Sequence, residues 1–61
     1  MNLKALIELR NAKLDEMKSM TAKAVEETRA MTDEEDAAFK ALEAEVRSLD
    51  AMIERAKAVE G

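Results

Sequence analysis

Few side chains in this sequence are of the types that enzymes use for catalysis. The chain contains no His and no Cys, which removes the commonest general base, the thiol nucleophile and the common zinc ligand sets. Hydroxyl groups such as those of Ser19 and Ser48 remain as potential nucleophiles, but no base accompanies them in the sequence. We therefore predict that the protein is not an enzyme and has no catalytic residues.

The densest group of potential metal ligands is the acidic cluster Glu34, Glu35 and Asp36. Carboxylates of this kind bind hard cations, but a calcium loop also needs a turn-forming Gly and oxygen ligands at alternate positions. Neither feature is present here. Acidic residues at the start of a helix are the simpler interpretation, because that end of the helix dipole is positive. We predict no metal site and no cofactor.

Helices are the elements that must position any site in this chain. There is no Pro, the single Gly is the last residue, and Ala, Glu, Lys, Leu, Met and Arg, which favour helix most strongly, predominate.

A domain of this size buries only about 60% of its unfolded surface. Without disulfides or metals, it needs oligomerisation or attachment to a larger body for stability. No apolar run approaches the roughly 18 residues of a membrane span, and no export signal opens the chain, so the cytoplasm is the expected compartment.

Two apolar stripes follow the alternating three- and four-residue spacing of a coiled coil. The first stripe consists of Leu3, Ile7, Arg10, Leu14, Met17, Thr21, Ala24 and Thr28. The second stripe consists of Phe39, Leu42, Val46, Leu49, Ile53 and Ala56. The two stripes are out of phase, which indicates a break between them.

The break coincides with a helix-start signal. Thr32 is a suitable N-cap residue, and Glu35 three residues later completes a capping box. We therefore predict an all-α fold, with residues 1–61 forming one antiparallel two-helix coiled-coil hairpin that oligomerises. The first helix is expected at about 3–29, the turn at about 30–32 and the second helix at about 33–59. The alternative is one long helix with a stutter in its heptad repeat.

Folding the chain between Met31 and Thr32 brings the stripes together. It predicts that Ala24 faces Phe39, that Leu14 faces Leu49 and that Arg10 faces Ile53. Polar residues on such a seam set register and weaken the pair, although Arg10 could instead extend past Ile53 to solvent or a nearby acid. Three residues beside the seam are candidates for contacts between chains: Leu6, Met20 and Met52. The internal Met residues either form an adaptable contact surface or fill gaps in an Ala-rich seam.

The charge of the chain is unevenly distributed. Residues 1–31 carry six bases and five acids, a balance of +1, whereas residues 32–61 carry four bases and nine acids, a balance of −5. An acidic half without aromatic or basic patches argues against nucleic-acid binding. We therefore predict neither nucleic acid nor membrane as a partner, and the asymmetry suits two helices lying side by side.

The second half of the chain contains a specific series of residues: Met31-Thr32-Asp33-Glu34-Glu35, Phe39, Leu42-Glu43-Ala44-Glu45, Leu49-Asp50 and Ile53-Glu54-Arg55, preceded by Leu3, Leu6, Arg10 and Met17 in the opening helix. This series resembles the N-terminal segment of tailed-bacteriophage major capsid proteins. In that family a leucine-rich, Arg-containing helix leads into a Leu-Thr-x-Glu-Glu turn and a second helix of Phe-x-x-Leu-x-x-Glu-Ile-x-x-Leu-Asp-x-x-Ile-Glu-Arg type. Two departures are Arg29-Ala30-Met31 where a Gly is frequent, and Lys40 where an acid is usual.

This resemblance implies a removable scaffolding role inside the procapsid, in the host cytoplasm. The implied partners are copies of the segment itself, the shell domain of the same capsid protein, and a maturation protease that cuts the segment off before DNA fills the head. The alternative is a coiled-coil dimerisation or adaptor module of an unrelated bacterial protein. A small acidic inhibitor or DNA mimic is a third interpretation.

Overall fold

The computed structural model describes residues 2–60 as two helices joined by a short turn. Helix α1 spans Leu3–Glu26 and helix α2 spans Asp33–Glu60. No strand occurs in this described part, which confirms the prediction of an all-α helical hairpin and excludes the single long helix. Met1 and Gly61, the first and last residues of the predicted module, lie outside the described residues.

Helix α1 begins with an Asn2 cap. The Asn2 side-chain oxygen accepts hydrogen bonds from the backbone N–H groups of Lys4 and Ala5, at 3.0 and 3.4 Å. These bonds satisfy two of the donors that every helix start leaves without an internal partner. The apolar stripe alone does not indicate this cap, although Asn immediately before a periodic apolar segment is a usual start signal.

Helix α1 ends at Glu26, three residues before the expected end near residue 29. Thr28 has a φ of 51°, and the bonds Thr28 N–H to Val25 O and Arg29 N–H to Ala24 O are both 3.0 Å long. This is the Schellman arrangement, in which a left-handed residue closes the helix, a position that Gly normally occupies. A β-branched residue in this conformation is strained. The helix therefore terminates at a position that residue types alone do not mark.

Helix α2 begins at the predicted capping box. The Thr32 hydroxyl oxygen accepts a hydrogen bond from the Glu35 N–H at 3.1 Å, and the Glu35 carboxylate accepts one from the Thr32 N–H at 2.9 Å. The four acids of the first turn lie where the helix dipole favours negative charge. The start of α2 therefore follows from residues within one turn of it.

The turn of the hairpin is centred about two residues earlier than predicted. The Arg10–Asp50 and Lys13–Glu45 ion pairs join residues whose numbers add to 60 and 58, whereas the predicted facing pairs add to 63. The early end of α1 explains this shift, because it moves the centre of the turn from between Met31 and Thr32 to between Arg29 and Ala30. The predicted facing pairs Ala24 with Phe39 and Leu14 with Leu49 stay predictions, and Arg10 and Ile53 line the same surface depression.

The hairpin is elongated and has almost no interior. Its extents are 46 × 17 × 13 Å and its radius of gyration is 14.2 Å, whereas a compact domain of this length has a radius of gyration of roughly 10.5 Å. Ala24 and Ile53, each 6% exposed, are the buried hydrophobic residues of the described part, and no large side chain there is fully buried. Two helices lying side by side can cover only one stripe of each other.

Candidate interaction surface

The predicted seam residues lie mostly between the helices, but few of them are buried. Of that set, Ala24 and Ile53 are buried and Ile7 and Thr21 are exposed. The half-buried members of the set are Leu3, Arg10, Leu14, Met17, Phe39, Leu42, Val46, Leu49 and Ala56. Contact within one hairpin therefore covers the seam only in part.

Helix α1 is rotated slightly from its predicted orientation. Its less exposed residues include Leu6, Lys13 and Met20, which join Leu3, Arg10, Met17 and Ala24 in a heptad repeat. The predicted repeat instead used Ile7, Leu14 and Thr21 as the alternate positions, and of these only Leu14 is half-buried. The Lys13–Glu45 ion pair lies on this same edge of α1.

The three candidates for contacts between chains are less open than expected. Leu6, Met20 and Met52 are all half-buried, so the hairpin itself covers part of each side chain. Contact between chains at these three residues therefore stays a prediction, and Met20 also lines an open depression together with Ser19 and Leu42. The more exposed large apolar residues are Ile7, Leu9, Val25 and Val59.

One side of the hairpin carries a long apolar groove, which we call the Leu9 groove. It consists of two adjoining depressions that share Glu45. The α1 wall consists of Leu9, Lys13, Asp15, Glu16, Ser19 and Met20, and the α2 wall consists of Ala38, Ala41, Leu42, Ala44, Glu45, Ser48 and Leu49. Leu9 lies on neither predicted stripe, but its position three residues after Leu6 places it on the flank of the same helix face.

The opposite side, which we call the Phe39 groove, has a short apolar segment and a charged end. The apolar segment is lined by Leu14, Met17, Lys18, Thr21, Ala22 and Phe39. The charged end is lined by Ile7, Arg10, Asp50, Ile53, Glu54 and Lys57. The apolar part of this side is therefore shorter than the Leu9 groove, and most of its charged residues lie at one end.

Two ion pairs join the helices across the grooves. The Arg10 Nε donates to the Asp50 carboxylate at 2.9 Å, and the Lys13 Nζ lies 3.0 Å from the Glu45 carboxylate. The hydrogen bond and negative charge of Glu45 raise the pKa of Lys13. Arg10 therefore extends from the seam to a nearby acid, and both pairs act mainly on register because such exposed pairs contribute little to stability.

A third group of charged residues lies at the turn, where Arg29 binds carboxylates on both sides of it. Its guanidinium donates two hydrogen bonds to the Glu35 carboxylate, at 2.6 and 3.1 Å, and one to Glu27 at 2.7 Å. The Arg29 and Thr32 contacts lower the pKa of Glu35 to about 2, and Arg29 also lowers the pKa of Glu27. Reciprocally, the two carboxylates raise the pKa of Arg29. The predicted cap residue Glu35 is thus also the anchor of the turn, a role that its spacing from Thr32 does not indicate.

Within residues 2–60, the acids form no group that could hold a metal ion. One acid of the cluster, Asp36, pairs instead with Lys40 one turn later, at 3.1 Å. The described helices include none that is both long enough and apolar enough to span a membrane. The surface features that remain are grooves, ion pairs and caps.

No protein-family model, curated protein or solved structure matches this chain.

Proposed function

We propose that the chain is a non-enzymatic association module that holds copies of its own protein together during the assembly of a larger particle. The observation that carries this proposal is the surface of the hairpin. Its accessible area is 4585 Å², whereas a compact monomer of this mass exposes roughly 4,000 Å². A hairpin that exposes more surface than a compact monomer, and that buries only Ala24 and Ile53 among its described hydrophobic residues, gains stability from a partner surface.

The distribution of exposed side chains supports the same function. Leu9 is 47% exposed and Ile7 is 37% exposed, on opposite sides of α1. Most of the seam between these positions is only half-buried. Residues of this kind gain burial when a third and fourth helix pack against the pair, as they do in helical bundles.

The similarity to phage capsid proteins supports a scaffolding role for this association. The turn of that family is of Leu-Thr-x-Glu-Glu type, and here Thr32 and Glu35 form two reciprocal hydrogen bonds at the corresponding positions. A reversible helical module repeated over many subunits gains strength through avidity, so each contact can stay weak. The acidic α2 would also repel DNA from the inner surface of a shell.

Sedimentation equilibrium of the purified chain tests the association directly. We expect the weight-average mass to rise from that of the 6.8 kDa chain towards an oligomer as concentration increases. A mass that stays at one chain across the whole range would contradict the proposal.

The assembly role needs a second experiment, on the protein that carries this segment ahead of a shell-forming domain. Deletion of residues 2–60 should abolish closed shells in electron micrographs while leaving the shell domain folded. Normal shells without the segment would contradict scaffolding and would leave the adaptor interpretation, in which the chain binds helices of other proteins.

A further inference from the structure

The turn is the strained part of the hairpin. Thr28 is β-branched and has a φ of 51°, which lies in the left-handed region that Gly usually occupies at the end of a helix. The turn residues 27–32 include neither Gly nor Pro, so none of them is of a type that breaks a helix. Short hinges under strain favour the exchange of helices between copies of a chain.

The seams of the two helices would lie on the same side of one continuous helix. The residues of the α1 seam that are buried or half-buried are Leu3, Leu6, Arg10, Lys13, Met17, Met20 and Ala24. The corresponding residues of the α2 seam are Phe39, Leu42, Val46, Leu49, Ile53 and Ala56. At 3.6 residues per turn, all of them lie within about 60° of the direction of Ala24, and the mean directions of the two seams differ by less than about 10°. A helix that continued through the turn would therefore carry a single, unbroken seam.

The rotation of α1 produces this agreement. The predicted α1 stripe used Ile7 and Leu14, which lie further round the helix, and that stripe is out of phase with α2. The seam that the structure shows uses Leu6 and Lys13 instead. From Ala24, the next seam position after the turn is Glu35, eleven residues on, which is close to three whole turns of helix.

We propose that two copies of the chain associate by exchanging α2, so that each turn opens into helix and α1 of one copy packs on α2 of the other. This inference rests on the self-association proposed above and names its interface. A single chain can cover one seam with the other only by folding back, which is the hairpin described here. With a second copy, two antiparallel helices of roughly 85 Å cover each other's seams along their whole length.

The contacts between α1 and α2 are the same in both forms. The Arg10–Asp50 and Lys13–Glu45 ion pairs join antiparallel helices, and their geometry does not depend on which copy supplies α2. Each of them forms twice in the exchanged dimer. The antiparallel orientation of the two chains therefore follows from the packing of the hairpin itself.

The difference between the two forms lies at the turn. Opening releases Thr28 from its left-handed conformation, and it places Thr28 and Met31 on the continuous seam. It also breaks the contact between Arg29 and Glu35, because residues six apart lie on different sides of a helix. Within one chain the turn keeps α1 and α2 at a high effective concentration, so exchange is favoured where many copies are held close together, as on an assembling shell.

A matched pair of substitutions tests whether association depends on the turn. Thr28→Gly eases the closed turn and weakens a helix that runs through it, so we expect it to raise the dissociation constant of the dimer about tenfold or more. Thr21→Gly lies within α1, where Gly weakens both forms alike, and should change that constant less than about threefold. An effect of Thr28→Gly no larger than that of Thr21→Gly would overturn the exchange. Helicity at high concentration reports whether each variant still folds.

Two spin labels on one chain distinguish the forms without relying on either variant. Ala12 and Ala51 are exposed and the chain has no Cys, so Ala12→Cys combined with Ala51→Cys provides two unique sites. In the hairpin the labels should lie within about 30 Å of each other, because packed helix axes are 8–10 Å apart. In the opened chain they should lie about 60 Å apart, at 1.5 Å per residue. An excess of unlabelled chain ensures that each measured pair belongs to one chain.

Pulsed electron resonance and sedimentation of the same samples separate this inference from the proposed function. We expect the distance of about 60 Å to appear and grow as the weight-average mass rises towards two chains. If the mass doubles while the labels stay within about 30 Å, the exchange is overturned and self-association by closed hairpins stands. A chain that remains monomeric at every concentration overturns both.

Discussion

Arg29 holds the carboxylate of Glu35 through both of its terminal nitrogens, at 2.6 and 3.1 Å. Glu35 simultaneously accepts the Thr32 N–H that starts α2, and Arg29 lies immediately after the left-handed Thr28 that ends α1. One ion pair therefore links the end of the first helix to the start of the second. Two-point contacts of this kind fix geometry as well as charge.

The lowered pKa of Glu35 makes the turn sensitive to acid. A carboxyl whose folded pKa is about 2 and whose ordinary pKa is 4.5 contributes stability that is fully present above pH 4.5 and is lost as the pH falls towards 2. We expect the melting temperature of the native chain to fall more steeply across this window than that of Glu35→Gln. Parallel pH profiles for the two proteins would show that the Arg29–Glu35 contact does not matter in solution.

The geometry of the pair can be separated from its charge. Arg29→Lys keeps the positive charge but cannot form the two-point contact, so it should melt below the native chain at pH 7. Arg29→Ala should melt at the same temperature as Arg29→Lys or lower. Thermal melts at one fixed concentration provide the comparison, and an unchanged melt for Arg29→Lys would indicate that charge alone is sufficient.

Thr28 has a backbone conformation that Gly adopts more easily than Thr does. Its φ of 51° is unfavourable for a β-branched residue and natural for Gly, so Thr28→Gly should stabilise the hairpin by about 1 kcal/mol. Thr21→Gly is the matched control, because Thr21 lies inside α1, where Gly costs roughly 0.5–1 kcal/mol. Denaturant unfolding of both variants measures the difference. If Thr28→Gly destabilises the chain as much as the control does, the Schellman ending is not formed in solution.

The capping box predicts that the chain loses stability when the hydroxyl group of Thr32 is removed. Removal of its hydroxyl by Thr32→Ala should cost about 1 kcal/mol, whereas Thr32→Ser keeps the acceptor and should cost little. Urea unfolding at equal concentration checks both variants. Equal losses for Ala and Ser would show that the methyl group matters at this position and the hydroxyl does not.

The burial of each apolar residue along α2 predicts how much stability is lost when that residue is replaced by Ala. Ile53 is 6% exposed, so Ile53→Ala should cost roughly 2–4 kcal/mol, which is a large part of the roughly 3–9 kcal/mol expected for a chain of this length. Leu49 is half-buried in the hairpin and Val59 is largely exposed, so Leu49→Ala should cost less and Val59→Ala almost nothing. If Leu49→Ala costs as much as Ile53→Ala at a concentration at which the chain is monomeric, the ranking by burial within the hairpin is wrong.

The parts of the fold that sequence could predict are those with local causes. The two helices follow from composition and periodicity, and the start of α2 follows from Thr32 and Glu35, which lie within one turn. The end of α1 has no such marker, because Thr28 takes a backbone conformation that its residue type disfavours. A stripe of heptad spacing continues through Thr28, so periodicity alone carries the helix too far.

The candidate surface was less predictable because it depends on register. The turn is centred two residues earlier than predicted, and a slight rotation of α1 changes which flank of that helix is covered. Leu6 and Met20 are half-buried for this reason, and Leu9 forms part of an open groove. The bond between Arg29 and Glu35 depends in the same way on how the turn folds, since six residues separate them.

Circular dichroism melting over a hundredfold range of concentration tests the central claim most directly. If the chain is an association module, its helicity and its melting temperature should both rise with concentration, because association stabilises only the folded helices. A single melt above about 70 °C, unchanged over the whole range, would mean that the hairpin is stable alone and would contradict the account.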